Sequence, residues 1–338
     1  MSWYDIISED NIQEPKELLN LSSKTPEIIT FGESMALFTP QGSRGLEYSS
    51  GLNKSFGGAE SNLAIGIARL GHQAGWFGRL GNDPYGQYIA KSIRGEGVDI
   101  SSAILTDEAG TGLMSRQAIA GKVSVYYHRK HSAASLMQPE DLDEAYISQA
   151  KILHITGITP ALSESCVRTV REAVRLARKH GVKVSFDPNL RLKLWTVEEA
   201  RPVLLELAEQ ADYFLPGIDE LKLLYATDDM DIIMDKLKGL KAISIIKGGE
   251  DETMILEQGA LSAVPIFKVD KVVDTVGAGD GFCAGFLVGL LKGYSHKGAV
   301  KLGNLVGSMV VQLEGDWEAL PTWAQVDATL SNKTHVER

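Results

Sequence analysis

Cysteine is nearly absent from these 338 residues: Cys166 and Cys283 stand alone, too few for a disulfide framework or a thiolate metal site. Both lie in stretches with helical spacing, where they read as small core residues of a cytoplasmic chain. Positive charge is in deficit. With 34 Lys and Arg against 44 Asp and Glu, the net charge of −10 argues against nucleic acid or an anionic membrane as the main partner. Binding of an anionic ligand must then be local. No run approaches the roughly 18 apolar residues of a membrane span. The first 26 residues carry Asp5, Glu9, Asp10, Glu14 and Glu17 without the basic head and apolar stretch of a secretory leader. Residues 1–26 therefore read as an N-terminal extension without an assigned role, with a short helix expected near 15–21. Two nucleotide signatures are missing as well. No G-x-x-x-x-G-K-[ST] loop occurs, and Gly277-Ala278-Gly279 is no dinucleotide fingerprint, because Phe282 stands where a third Gly is needed.

What is present is an α/β alternation, in a chain long enough for one large domain at 44% hydrophobic and 23% charged. From residue 27, short β-rich runs at 28–31, 74–77, 152–155, 182–186, 213–215, 243–246 and 253–256 alternate with helical periodicity. The helical stretches are 59–70, 83–95, 163–180, 197–207, 219–224, 277–293 and 296–312. This predicts one domain over 27–330, a mostly parallel sheet flanked by helices on both faces. Residues 35–56 and 111–129 break the rhythm, and 113–119 and 123–127 alternate like a hairpin. They are expected to form a small β lid over the sheet's carboxyl edge, where ligands of open α/β sheets bind. Exposed edges on such a lid would favour pairing of two copies into a homo-oligomer.

The densest chemistry lies in 274–286, Asp-Thr-Val-Gly-Ala-Gly-Asp-Gly-Phe-Cys-Ala-Gly-Phe. Val272-Val273 reads as the end of a strand, Gly277-Ala278-Gly279 as a tight turn, and the run from Phe282 as a buried helix. Asp280 then sits in the first helical turn, beside the unpaired N–H groups of 277–280. An anion hole next to a base suits phosphoryl transfer. Taken alone, the same residues also fit a stabilising first-turn acid after a simple turn.

Together with Gly57-Gly58-Ala59-Glu60-Ser61-Asn62 and Trp76-Phe77-Gly78-Arg79-Leu80-Gly81-Asn82-Asp83, this stretch resembles the two signatures of the ribokinase (PfkB) sugar kinases. The motifs 30–34, 127–135, 156–162 and 187–191 are most similar to those of 2-keto-3-deoxygluconate kinases. The resemblance spans about residues 27–325 and implies a ribokinase-like fold that uses ATP and Mg²⁺ to phosphorylate a sugar acid. It implies Asp280 as the base, Gly277, Ala278 and Gly279 as the anion hole, and Gly58, Ala59 and Asn62 as sugar contacts. Tyr127, Arg129, Arg191 and Asp316 would complete the substrate side; arginine forks suit a carboxylate. The nucleotide side would take Asn189, Lys247, Gly249, Gly277, Gly279 and Asn304, with Glu220 reaching the metal through water. Two positions depart from the family pattern: Glu252 replaces a Gly of the ATP loop, and Gly217 replaces the Asn of an Asn-x-x-Glu motif. Sibling kinases of fructose, ribose or 5-dehydro-2-deoxygluconate share most of these motifs, and a non-catalytic sugar or nucleotide sensor is the remaining alternative.

Overall fold

In the computed structural model, residues 25–331 apart from 43, 121 and 250 are described. The helix expected near 15–21 lies outside them. The first half of the chain runs β1 (Ile28–Phe31), β2 (Met35–Pro40), β3 (Leu52–Gly57), α1 (Ala59–Arg69), β4 (Ala74–Phe77), β5 (Arg79–Gly81), α2 (Pro84–Gly95), β6 (Ile104–Thr106), β7 (Leu113–Ile119), β8 (Lys122–His128), α3 (Glu144–Ser148) and β9 (Ile152–Thr156). It continues through α4 (Glu164–Lys179), β10 (Lys183–Asp187), α5 (Val197–Gln210), β11 (Tyr213–Phe214), α6 (Ile218–Tyr225), α7 (Met230–Lys238), β12 (Ile243–Ile246), β13 (Glu252–Glu257), β14 (Ala260–Pro265), α8 (Ala278–Leu291), α9 (His296–Val310) and α10 (Trp323–Leu330).

The central eight-stranded sheet has the order β14-β13-β12-β11-β10-β9-β1-β4. Pairing is parallel from β4 to β12 and antiparallel for β13 and β14. Strands buried on both faces need apolar side chains at successive positions, and β1 supplies them. Ile28 packs into one core with α1, α8 and α9, while Ile29 and Phe31 join the opposite core with α4 and α5. Side-chain caps set several helix starts, as Asp83 accepts from Tyr85 and Gly86 and Ser163 accepts from Cys166.

A second, four-stranded sheet has the order β3-β2-β7-β8. Met35, Leu37 and Met114 form a small buried cluster on it, with Val125 packed alongside. The expected strand end at 272–273 is absent. Val272 is 56% exposed, and Val273 donates to the Val311 carbonyl at 2.8 Å, so the segment follows the end of α9 and pairs with no strand among the described residues. The strand expected at 213–215 is cut to Tyr213–Phe214, while β14, α7 and α10 are additions to the expected elements.

Candidate active site

Three chain crossings converge where the carboxyl ends of the central strands face the second sheet, around a cavity of about 430 Å³. Met35, Leu37, Met114 and Val125 form its apolar wall. The polar wall carries Gly58, Ala59, Asn62, Tyr127, Arg129, Asn189, Arg191, Glu220, Lys247, Gly277, Gly279, Asp280 and Asp316. These residues come from both halves of the chain and meet at one sheet edge.

Asn62 organises one side. Its Nδ2 donates to Asp280 Oδ2 at 2.8 Å and to Asp316 Oδ1 at 2.6 Å, whereas its Oδ1 finds no partner among the described residues. Burial and the neighbouring Asp316 push Asp280 up to about 8, against the pull of the Asn62 hydrogen bond. Asp316 is raised to about 6, again chiefly by burial. Gly58 lets α1 approach closely, because a Cβ there would strike the Glu33 carbonyl oxygen.

The turn before α8 uses Gly277 in the left-handed conformation, with φ 76°. Gly281 closes the first helical turn onto the Gly277 carbonyl at 2.8 Å, and the Ala278 N–H is turned toward the Thr275 carbonyl at 3.4 Å. Ala278 is also not among the residues lining the cavity, although it is expected in the anion hole. For the N–H groups of Gly277, Gly279 and Asp280 the structure shows no acceptor among the described residues.

On the substrate side, Arg129 is already engaged. Its Nε donates to Glu33 Oε2 at 2.6 Å, a second guanidinium nitrogen pairs with the same oxygen, and Ser132 Oγ donates to Glu33 Oε1 at 2.5 Å. Glu33 is only 2% exposed. Arg191 is exposed, with no ion pair or side-chain hydrogen bond among the described residues. A further arginine, Arg116, lines the cavity and pairs with Asp274 at 2.6 Å. Glu33, Arg116, Asp187 and Asp274 were not singled out from sequence as site residues. Glu33, Asp187 and Asp274 lie within motifs and Arg116 within the hairpin-like stretch 113–119, but only the folded chain shows what each faces.

Lys247 Nζ pairs with Asp187 Oδ2 at 2.7 Å. Burial alone would depress this lysine, but the nearby carboxylates, Asp187 foremost, outweigh it and hold the ammonium charged. Glu220 accepts from Leu190 N at 2.7 Å and from Gly217 N at 2.7 Å. It thereby caps α6, which explains why Gly217 is tolerated without a side-chain cap. Burial and the adjacent Asp187 raise its pKa. Glu252 opens β13 opposite Pro265, so an ordinary residue fits there, while Gly248 at φ 89° makes the turn. Asn189 holds a left-handed backbone at φ 39°, which Asn tolerates.

Two expected nucleotide contacts lie off the cavity wall. Asn304 is 7% exposed; its Oδ1 accepts from Thr253 Oγ1 at 2.8 Å and its Nδ2 donates to the Pro265 carbonyl at 3.1 Å, tying α9 to β13 and β14. At Gly249 the side-chain direction is closed by the Glu252 carbonyl oxygen.

The sequence pattern of the pfkB family carbohydrate kinases matches residues 25–323. The chain belongs to this family. It is a sugar kinase, a phosphotransferase with a ribokinase-like α/β fold. The 2-dehydro-3-deoxygluconokinase of Bacillus subtilis (strain 168) is 39% identical over 317 residues, covering 92% of this chain and 98% of that one. The crystal structure of a PfkB protein from Polaromonas sp. JS666 superimposes with a TM-score of 0.82 at 37% identity, covering 90% and 99% of the two chains. A fructokinase with bound ATP from Xylella fastidiosa gives a TM-score of 0.79 at 25% identity, covering 91% and 99%. No helix among the described residues of this pfkB kinase is long and apolar enough to cross a membrane.

Proposed function

We propose that this kinase transfers the γ-phosphoryl group of ATP to the terminal hydroxyl of 2-keto-3-deoxygluconate. The observation that carries the reading is the shared cavity of Arg129, Arg191 and Asp280: two guanidinium groups for a carboxylate, and a base raised into the working range. The 39% identity to a 2-dehydro-3-deoxygluconokinase supports the same substrate.

In this reading Asp280 takes the hydroxyl proton as the oxygen attacks, and Asn62 Oδ1 accepts from a sugar hydroxyl. The free amides of Gly277, Gly279 and Asp280 receive the transferring phosphoryl oxygens, so in this hole the Asp280 N–H takes the place expected of Ala278. The second sheet acts as a lid, excluding water that would otherwise waste ATP. Lys247 and Asn189 face the nucleotide side of the cavity. No group of three or more His, Cys, Asp or Glu side chains among the described residues is placed to hold a metal ion, and both Glu220 oxygens take amide hydrogens. The residues fit Mg²⁺ held by nucleotide phosphates and water, with Glu220 one water away. When bound, the ion neutralises charge on the phosphates.

Fructose and 5-dehydro-2-deoxygluconate define the second reading, since the fructokinase resemblance extends over nearly the whole chain. A coupled ADP-release assay across these sugars, ribose and 2-keto-3-deoxygluconate separates the two. 2-Keto-3-deoxygluconate should give the highest kcat/KM, and any other sugar in first place, neutral or acid, would overturn the assignment. We also propose that two copies pair through the second sheet, where Ile119, Val123, Tyr126 and Tyr127 are 40–49% exposed. Sedimentation equilibrium tests this, with a monomer as the contrary result.

A further inference from the structure

Arg116 has no part in the steps above, yet it joins the second sheet to the turn that enters α8. It stands on β7, and its Nη2 reaches Asp274 Oδ2 at 2.6 Å with side chains 18% and 7% exposed. Asp274 Oδ1 accepts the Val276 N–H at 3.1 Å. The N–H groups of Val273 and Asp274 are themselves anchored on the Val311 carbonyl at 2.8 and 3.3 Å. One carboxylate therefore holds the turn's backbone through one oxygen and the second sheet through the other. Gly277 follows Val276 directly, and its left-handed peptide makes the direction of its N–H depend on the peptides that Asp274 restrains.

We propose that the Arg116–Asp274 ion pair is a latch coupling the seating of the second sheet to the shape of the anion-binding turn. Arg116 is thus a positioning residue that acts through Asp274. A pair this buried differs from a surface pair, because removing one partner strands the other charge in a poorly hydrated site. With the sheet seated, the turn holds Gly277 and Gly279 N–H groups toward the cavity. With the sheet lifted, Asp274 loses its cation and the turn loses a restraint. The hole would then be complete only when the cavity is also closed to water, which ties transfer to the presence of a sugar. This inference rests on the phosphoryl-transfer site proposed above, whichever sugar it takes.

The test is a double-mutant cycle of Arg116→Ala, Asp274→Asn and the double variant, with Arg116→Lys as the conservative control. It is run on the full chain with the sugar that the wild type turns over best. Each single substitution should lower kcat by about 10- to 100-fold, as expected for slight misplacement of a reacting group, with little change in sugar KM. The double variant should be no worse than the weaker single variant, and Arg116→Lys should recover part of the rate. Amide hydrogen exchange of residues 274–281, measured without ligand, should accelerate in both single variants. Additive losses, an effect on KM alone, or unchanged exchange at the turn would overturn the latch. If the wild type phosphorylates no sugar, the phosphoryl-transfer reading falls, while the exchange comparison still decides the latch.

Discussion

Two physical effects compete at Asp280. A helix N-terminus favours the charged carboxylate and makes it a weak base, whereas burial beside Asp316 favours the neutral acid. Burial wins, raising the group to about 8. The sign of the stability effect follows: a carboxyl whose folded pKa exceeds its unfolded value, near 4, favours folding fully below that value. The contribution is lost as pH climbs through about 8. Asparagine can still accept from Asn62 but carries no charge. Asp280→Asn should therefore match the wild type in Tm near pH 4 and exceed it by a few degrees near pH 8, in scans across that interval. Its turnover should fall by about 10²- to 10⁴-fold. Near-normal turnover would remove Asp280 from the chemistry, and parallel Tm curves would mean that its burial carries no penalty. If Asp280 is the base, kcat/KM of the free wild-type enzyme should decline as pH drops below about 8, because the carboxylate becomes protonated.

Helix α8 delivers Asp280, and its placement depends on close contact with α9. A Cβ on Gly285 would meet the Gly303 Cα and the Leu302 carbonyl oxygen, both at 2.9 Å, so the two backbones touch without room for a methyl group. Gly285→Ala should cost about 1–3 kcal/mol by overpacking and tilt α8 enough to lower kcat. Thermal unfolding and steady-state kinetics check both effects, and an unchanged Tm would show that the helices can slide apart. This helix was legible in sequence because Phe282, Phe286, Leu287, Leu290 and Leu291 repeat at helical spacing. The strand expected at 272–273 failed for a related reason: two valines signal extended backbone, but only a neighbouring strand makes a sheet, and here the neighbour is the end of α9. Asn304 shows the same limit. Its helix was readable, but its engagement with Thr253 and Pro265 depends on how α9 packs against β13 and β14.

Across the whole molecule, the proposed function asks a chain of net charge −10 to admit an acid sugar and a nucleotide. The cations at the cavity are mostly balanced: Arg116 by Asp274, Arg129 by Glu33 and Lys247 by Asp187. Those pairings join residues distant in sequence, so motif reading found Arg129 and Lys247 but not the acids that occupy them. Arg191 is the exposed cation of the cavity wall without such a partner among the described residues. Its field is therefore the least cancelled, and it should carry more of the carboxylate recognition than Arg129, whose fork is half taken by Glu33. Arg191→Ala should raise KM for 2-keto-3-deoxygluconate by about 10- to 100-fold, the loss expected for one charge-assisted hydrogen bond. Any residual neutral-sugar activity should change little. Added salt should weaken the wild type's apparent affinity for the acid sugar more than the variant's, since Arg191 faces water and is screened. Initial rates at varied sugar and salt separate these cases, and equal salt sensitivity of wild type and variant would place carboxylate recognition on Arg129 or Arg116 instead.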